Sequence, residues 1–250
     1  MSGHSKWATI KRKKGAIDQK RGKLFAKLSR QIEVAVREGG SGDTAANATL
    51  RTIVAKAKAS QMTNEAIDRA IKRALGAGNR SDFESVTYEA YAPGGVAMLI
   101  DILTDNRNRT ASDVRAIFSK LGGAMAEPGA VGWQFARRGV VQVDGTVGED
   151  DVMAVALENG ALDIERDGTS WRVTCEAPAV WELKAALEAA GMGVLEAEST
   201  MISSLTVPVT DAAVARSILR IMDELEEHDD VQDVYANFDM SESLLEAAAQ

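Results

Sequence analysis

The stretch that decides the fold runs from Val140 to Glu198: VVQVDGTVGEDDVMAVALENGALDIERDGTSWRVTCEAPAVWELKAALEAAGMGVLEAE. Its apolar residues alternate, recur at helical spacing, alternate through two short runs, recur at helical spacing again and end in a last alternating run. That spacing predicts a strand from Val140, a helix from Glu149 to Glu158, strands Leu162 to Arg166 and Ser170 to Cys175, a helix from Pro178 to Ala190 and a strand from Val194 to Glu198. The order βαββαβ is that of a ferredoxin-like unit. Glu149, Asp150 and Asp151 fall in the first turn of its first helix, where the macrodipole favours anions.

Outward from this unit, the flanks complete each other. Downstream lie strand Ser204 to Val209, helix Asp211 to Glu227 and strand Val231 to Phe238, a βαβ piece without its other half. Upstream, strand Val86 to Tyr91 turns at Pro93-Gly94-Gly95 into strand Val96 to Leu103. A helix from Thr110 to Leu121 stops at Gly122-Gly123, before a short strand near Val131 to Phe135. The middle unit therefore reads as an insertion.

Before residue 80 only helical spacing is found. Ile17, Leu24, Phe25, Leu28, Ile32, Ala35 and Val36 form one stripe that ends at Gly39-Gly40. A second helix spans about Ala46 to Ser60, and a third, capped by Thr63, runs to Gly76. The expected class is α+β with three domains: an N-terminal three-helix bundle and two α/β ferredoxin-like domains, one inserted in the other. Expected boundaries are 1–80 for the helical domain with a flexible tail, 81–136 with 203–240 for the split domain, and 137–202 for the insertion.

Charge divides along the same line. Residues 1–80 carry 18 Lys and Arg against 6 Asp and Glu, and the rest carry 11 against 31, so the net charge of -8 hides a basic end and an acidic body. Lys6, Lys11, Arg12, Lys13, Lys14, Lys20, Arg21, Lys23, Lys27 and Arg30 make the densest part, with Lys20, Lys23, Lys27 and Arg30 along one stripe of the first helix. Such a surface attracts polyanions. Phosphates would supply the missing counter-charge, with His4 able to hydrogen-bond and Trp7 to stack. The alternative is a solvated start with Trp7 tucked against the body. The continued stripe and the acidity elsewhere favour nucleic acid.

A second candidate is Asp105-Asn106-Arg107-Asn108-Arg109-Thr110. With Thr110 as helix cap and Asp113 at its N3 position, Arg107 and Arg109 stand just outside a helix N-terminus, where they do not help the helix. They read as an anion pocket or, equally, as partners of Asp101, Asp105 or an acidic residue of another domain that lock the joint. Asn106 and Asn108 read first as turn formers and second as base contacts.

Gly3-His4-Ser5-Lys6-Trp7, Lys20-Arg21-Gly22-Lys23 with Phe25 and Lys27, the segment Tyr88 to Gly95, and Asp105 to Thr110 together resemble the YebC/PmpR family over nearly the whole chain. The resemblance implies an N-terminal helical domain followed by two α/β domains, one inserted in the other. It implies a probable DNA-binding transcriptional regulator, and equally translation factors: a mitochondrial translational activator, and bacterial proteins that assist ribosomes stalled on proline-rich stretches. Ala90 and Ala92 depart from the family pattern, which has glycines there. Any close approach that needs positive φ at those positions is in question.

Other chemistry finds no support. The single cysteine, Cys175, cannot form an internal disulfide, and no Cys/His spacing suits zinc. No nucleophile has a base beside it, and the glycine pairs match neither a P-loop nor a dinucleotide fingerprint. The expectation is no enzyme, no catalytic residue, no cofactor and no metal. Trp133, Trp171 and Trp181 read as core anchors, and His228, among Glu226, Glu227, Asp229 and Asp230, as a solvated helix end. Without a leader-like apolar run or about 20 consecutive apolar residues, a cytoplasmic protein with no membrane partner is expected.

The expected partner is duplex DNA or ribosomal RNA, with the ribosome as a further possibility. No recognition helix with obvious base readers and no aromatic RNA-binding strand is found, so binding through phosphates and shape is the physical expectation. A non-enzymatic scaffold whose acidic domains dock on a basic protein is the other function class. Oligomeric state is not legible.

Overall fold

The computed structural model describes residues 17–76 and 83–248. These fall into two compact units, one of residues 133–206 and one of the described residues on either side.

The first helices form a bundle within the larger unit: α1 (Ile17–Glu38), α2 (Ala48–Ala59) and α3 (Asn64–Leu75). Leu28, Ile32, Val36, Leu50, Val54 and Ile67 make their common core. Thr63 caps α3, its hydroxyl accepting from the Ala66 N–H, as its sequence position predicts. Leu24, expected on the inner stripe of α1, is 39% exposed, whereas Lys27 is only 9% exposed. The reason is the neighbour that α1 meets, described below.

The same unit holds β1 (Glu84–Ala92), β2 (Val96–Thr104), α4 (Arg107–Lys120), β3 (Ala124–Ala126) and then, in the smaller unit, β4 (Phe135–Asp144), α5 (Glu149–Glu158), β5 (Ala161–Asp167), β6 (Ser170–Glu176), α6 (Val180–Ala189) and β7 (Val194–Ser203). The chain returns through β8 (Val207–Pro208), α7 (Ala212–Glu227), β9 (Val231–Ala236), β10 (Phe238–Asp239) and α8 (Glu242–Ala248). In the larger unit the sheet order is β3-β1-β2-β9, with every pair antiparallel. Val96, Met98, Ile100 and Ile102 of β2 join Val114 and Phe118 of α4 and Ile218, Ile221 and Leu225 of α7 in one core. β2 is buried along almost its whole length, which explains its near-continuous apolar run.

The smaller unit orders its strands β5-β6-β4-β7, all antiparallel. That is the ferredoxin-like arrangement, with the first strand of the unit between its third and fourth. Val141, Val143, Val173 and Cys175 pack on Val152, Ala156, Leu183 and Leu187 from the two helices. A Cβ on Gly139 would come within 2.6 Å of the Cys175 sulfur and 2.7 Å of the Val180 Cβ, so a glycine is what lets α6 approach the sheet this closely.

Five local expectations are corrected, the first being Trp133, read as a core anchor but 69% exposed. The strand foreseen near Val131 to Phe135 is a 3-10 turn, Gly132–Gln134, and the strand that pairs with β1 lies earlier, at Ala124–Ala126. The strand foreseen from Ser204 to Val209 shrinks to two residues that pair in parallel with β10 in a separate sheet. α8 was not foreseen, because seven residues give too little periodicity to read. The cap of α4 is Asn106 rather than Thr110: the Asn106 side chain accepts from the Arg109 N–H, and helix starts at Arg107. At the β1–β2 turn Gly94 and Gly95 have φ of +79° and +76°, but Ala90 and Ala92 lie in extended β1, buried. The two alanines therefore need no glycine-like conformation.

Candidate nucleic-acid interface

His4, Lys6, Trp7, Lys11, Arg12, Lys13 and Lys14 lie outside the described residues, and for Lys20 and Arg21 only their place on α1 is described. The rest of the basic stripe has a definite environment. Lys23 donates from Nζ to the Glu227 carbonyl at 3.2 Å and its carboxylate at 3.0 Å. Lys27 donates to the Glu226 carbonyl at 2.6 Å. One turn on, the Arg30 guanidinium donates to the Asp229 carbonyl at 3.0 Å, lies 3.7 Å from the Asp230 carboxylate and sits 5.4 Å over the Phe83 ring. From α2, Lys56 reaches both carboxylate oxygens of Asp233 at 2.8 and 3.0 Å. The stripe thus meets the C-terminus of α7 and the turn into β9, where the last helical carbonyls already carry partial negative charge.

This contact explains why a lysine is buried. Burial pushes the Lys27 amine down from its ordinary value, against the upward pull of Glu226, Asp233, Asp229 and Glu227. The stem of Lys27 lies along the bundle while its charged end is spent on the helix terminus.

The Asp105 to Thr110 block ends at the same place. Arg109 donates to Asp105 at 2.8 Å and to Asp230 at 2.9 Å, and both bonds raise its already high pKa. Thr110 donates to the same Asp230 oxygen at 2.7 Å, and Thr104 lies 3.2 Å from it. Asp230 is 6% exposed. Burial alone would raise its carboxyl, yet the bonds from Arg109, Thr110 and Thr104 hold it below the ordinary carboxylate range. Its backbone is fixed as well: the Leu103 N–H donates to its carbonyl, and its own N–H donates to Nδ1 of His228. That last bond places the proton of a neutral His228 ring on Nε2, 3.3 Å from Asp113.

Asp230, expected in a solvated helix end, is instead the buried knot that joins α4, β2 and the α7–β9 turn. Its signal in the sequence was its place in an acidic run facing a basic one, a pairing of distant segments that no local spacing shows. Arg107 is exposed, with its Nε 3.9 Å from Glu84, and Asn108 is exposed. Asn106 serves the helix as its cap. Lys23, Arg30, Arg109 and Asp230 line an open cleft of about 450 Å³ together with Asp105, Asp113, Glu227 and Asp229. Carboxylates outnumber cations in it, so it is no ready-made phosphate pocket.

Cations that point elsewhere are found on the bundle. Arg51 and Lys58, seven apart on α2, and Arg69 and Lys72, three apart on α3, are exposed, with no carboxylate within 4.0 Å among the described residues. No group of three or more His, Cys, Asp or Glu side chains suited to a metal occurs among the described residues. No helix there is long and apolar enough to cross a membrane.

Comparison with known proteins extends over the whole of this arrangement. Residues 5–77 match the family model of the TACO1/YebC protein N-terminal domain, and residues 83–238 that of the TACO1/YebC second and third domain. The chain is 55% identical over 251 residues to a probable transcriptional regulatory protein of Rubrobacter xylanophilus, with all of both chains covered. It is 49% identical over 249 residues to another so named from Beutenbergia cavernae, covering 98% of each. The crystal structure of a conserved hypothetical protein from Aquifex aeolicus superposes with a TM-score of 0.75 at 39% identity, over 90% of this chain and 92% of that one.

Proposed function

The chain belongs to the TACO1/YebC family, and from that premise we propose that it regulates gene expression by gripping the phosphate backbone of a nucleic acid. The observation that carries the reading is the charge split, 18 cations to 6 anions before residue 80 and 11 to 31 after it. Polyanion attraction by the first part and repulsion by the second orient such a ligand on the helical end. Exposed Arg51, Lys58, Arg69 and Lys72 support the reading, as does the run Lys6 to Arg21. We take DNA as the first target, in keeping with relatives named probable transcriptional regulatory proteins, and a cytoplasmic, non-catalytic role accompanies it.

Ribosomal RNA is the second reading, and one observation keeps it beside DNA: Asn106 is engaged as a helix cap. One of the two asparagines considered as base contacts is thereby occupied, and recognition by shape and phosphate suits folded RNA as well as duplex DNA. The test is affinity against salt for duplex DNA, ribosomal RNA and ribosomes, with the intact chain and one lacking residues 1–15. A phosphate binder gives a log–log slope of about -0.9 per phosphate contact on duplex DNA and a shallower one on removal of the tail. Ribosome co-sedimentation against promoter footprinting separates the two targets. Capture of a basic protein with no polyanion bound above electrostatic background would replace this reading with the scaffold.

A further inference from the structure

From Asp223 to Asp233 the chain carries seven carboxylates in eleven residues. Four cations of the helical bundle, Lys23, Lys27, Arg30 and Lys56, lie against it. We infer that this segment is a built-in competitor for phosphate: it occupies the bundle cations in the free protein, and a polyanion gains them by displacing it. The inference rests on the nucleic-acid reading above and adds the regulation of that site.

The contact is graded from a fixed inside to a releasable outside. At the inside, Asp230 is held by Arg109, Thr110 and Thr104 and by two backbone bonds. These bonds tie α4, β2 and the α7–β9 turn together, and the bundle adds only Arg30, 3.7 Å from the other carboxylate oxygen of Asp230. At the outside, the side chains of Lys23 and Glu227 are 49% and 47% exposed, and those of Lys56 and Asp233 are 45% and 33% exposed. Ion pairs this open to water are individually weak and screened by salt. A joint that served stability alone would gain little from them.

The chemistry of the exchange is also matched. Each bundle cation now meets oxygen acceptors, carboxylates for Lys23 and Lys56 and the partly negative carbonyls of the helix end for Lys27 and Arg30, so moving to a nucleic acid exchanges them for fully charged phosphate oxygens. For Lys27, whose amine is held in a buried position, the move returns the charge toward water. The self-contact sets a threshold: a short or sparse anion cannot replace several partners at once, whereas a continuous phosphate backbone can. Selection for extended polyanions over free nucleotides follows.

The test uses the full chain, unmodified and as the double variant Glu227→Gln with Asp233→Asn, which takes the facing carboxylates from Lys23 and Lys56 and leaves Asp230 in place. Binding is measured by fluorescence anisotropy along a salt series, with a mixed-sequence DNA duplex in one arm and a ribosomal RNA hairpin in the other. The variant is expected to bind about tenfold more tightly at low salt, with a slope steeper by about one to two as Lys23 and Lys56 take up phosphates. The arm with the larger gain identifies the polyanion. In the unmodified chain, hydrogen exchange across residues 225–233 should quicken when the polyanion saturates it, a readout that does not depend on the variant's stability. Unchanged affinity and slope, with a wild type that binds, overturn the competitor and leave the nucleic-acid reading standing. Unchanged exchange at saturation does the same. No binding by either protein overturns both.

Discussion

Glu89 shows how one side chain can organise a loop that sequence spacing does not reveal. Its carboxylate accepts from the N–H groups of Gly129, Val131 and Gly132 at 2.7, 2.6 and 2.8 Å. Three converging donors outweigh its burial, which acts to raise the carboxyl, and hold its pKa below the ordinary value. A folded pKa below the unfolded one means that the stabilisation is complete above the ordinary carboxylate range and is lost as pH falls through the depressed folded value. Glu89→Gln keeps the shape but removes the charge, and is expected to cost about 1–2 kcal/mol. The check is amide exchange at Gly129, Val131 and Gly132 followed by NMR from neutral to acid pH. In the native chain protection collapses only at acid pH, whereas in the variant it is low throughout. Asp230 teaches the same lesson about legibility. Both carboxylates were visible as residues, but their partners lie 40 or more positions away in sequence, beyond the reach of any periodicity.

At the scale of elements, what could be read was what repeats. α5 occupies the span its apolar spacing predicts, and β6 and α3 do so within a residue, because a buried stripe with period 2 or 3.6 is written into consecutive residues. Short pieces were lost for the opposite reason: β3 has three residues and β8 two, and pairing rather than pattern makes them strands. Caps lie between these cases. Asn47 is the N-cap of α2, its Oδ1 accepting from the Leu50 N–H at 3.0 Å, while its amide donates to the Ala35 and Ser41 carbonyls at 2.8 and 3.1 Å. One buried amide therefore closes the end of α1 onto the start of α2. Asn47→Ala should cost about 2 kcal/mol, the loss of a cap together with the two amide bonds, although the Ala35 carbonyl keeps the Gly39 N–H. Chemical denaturation measures it. Gly39→Ala offers an independent check, since a Cβ there would collide with the Asn47 amide and should lower the midpoint in the same direction.

At the scale of the molecule, the insertion has its own core: Val141, Val173, Cys175, Leu183 and Leu187 pack among themselves, apart from the cluster around Ile100, Phe118 and Ile221. Two cores imply two cooperative units unless something couples them. Cys175, the single cysteine of the chain, is fully buried in the first core, and burial, aided by Glu176, pushes its thiol above the ordinary value. Its labelling therefore reports the opening of the inserted unit and nothing else. Leu183→Ala leaves a cavity beside it worth about 3 kcal/mol, which should speed labelling by about a hundredfold. If the units are energetically separate, amide exchange at Ile100 and Phe118 will not change in that variant. An equal acceleration at those amides would mean that the two cores open together. In that case the insertion would stiffen the domain that carries it, and the displacement of the acidic segment would have to be resisted by the whole chain rather than by the exposed contacts of α1 and α2 alone.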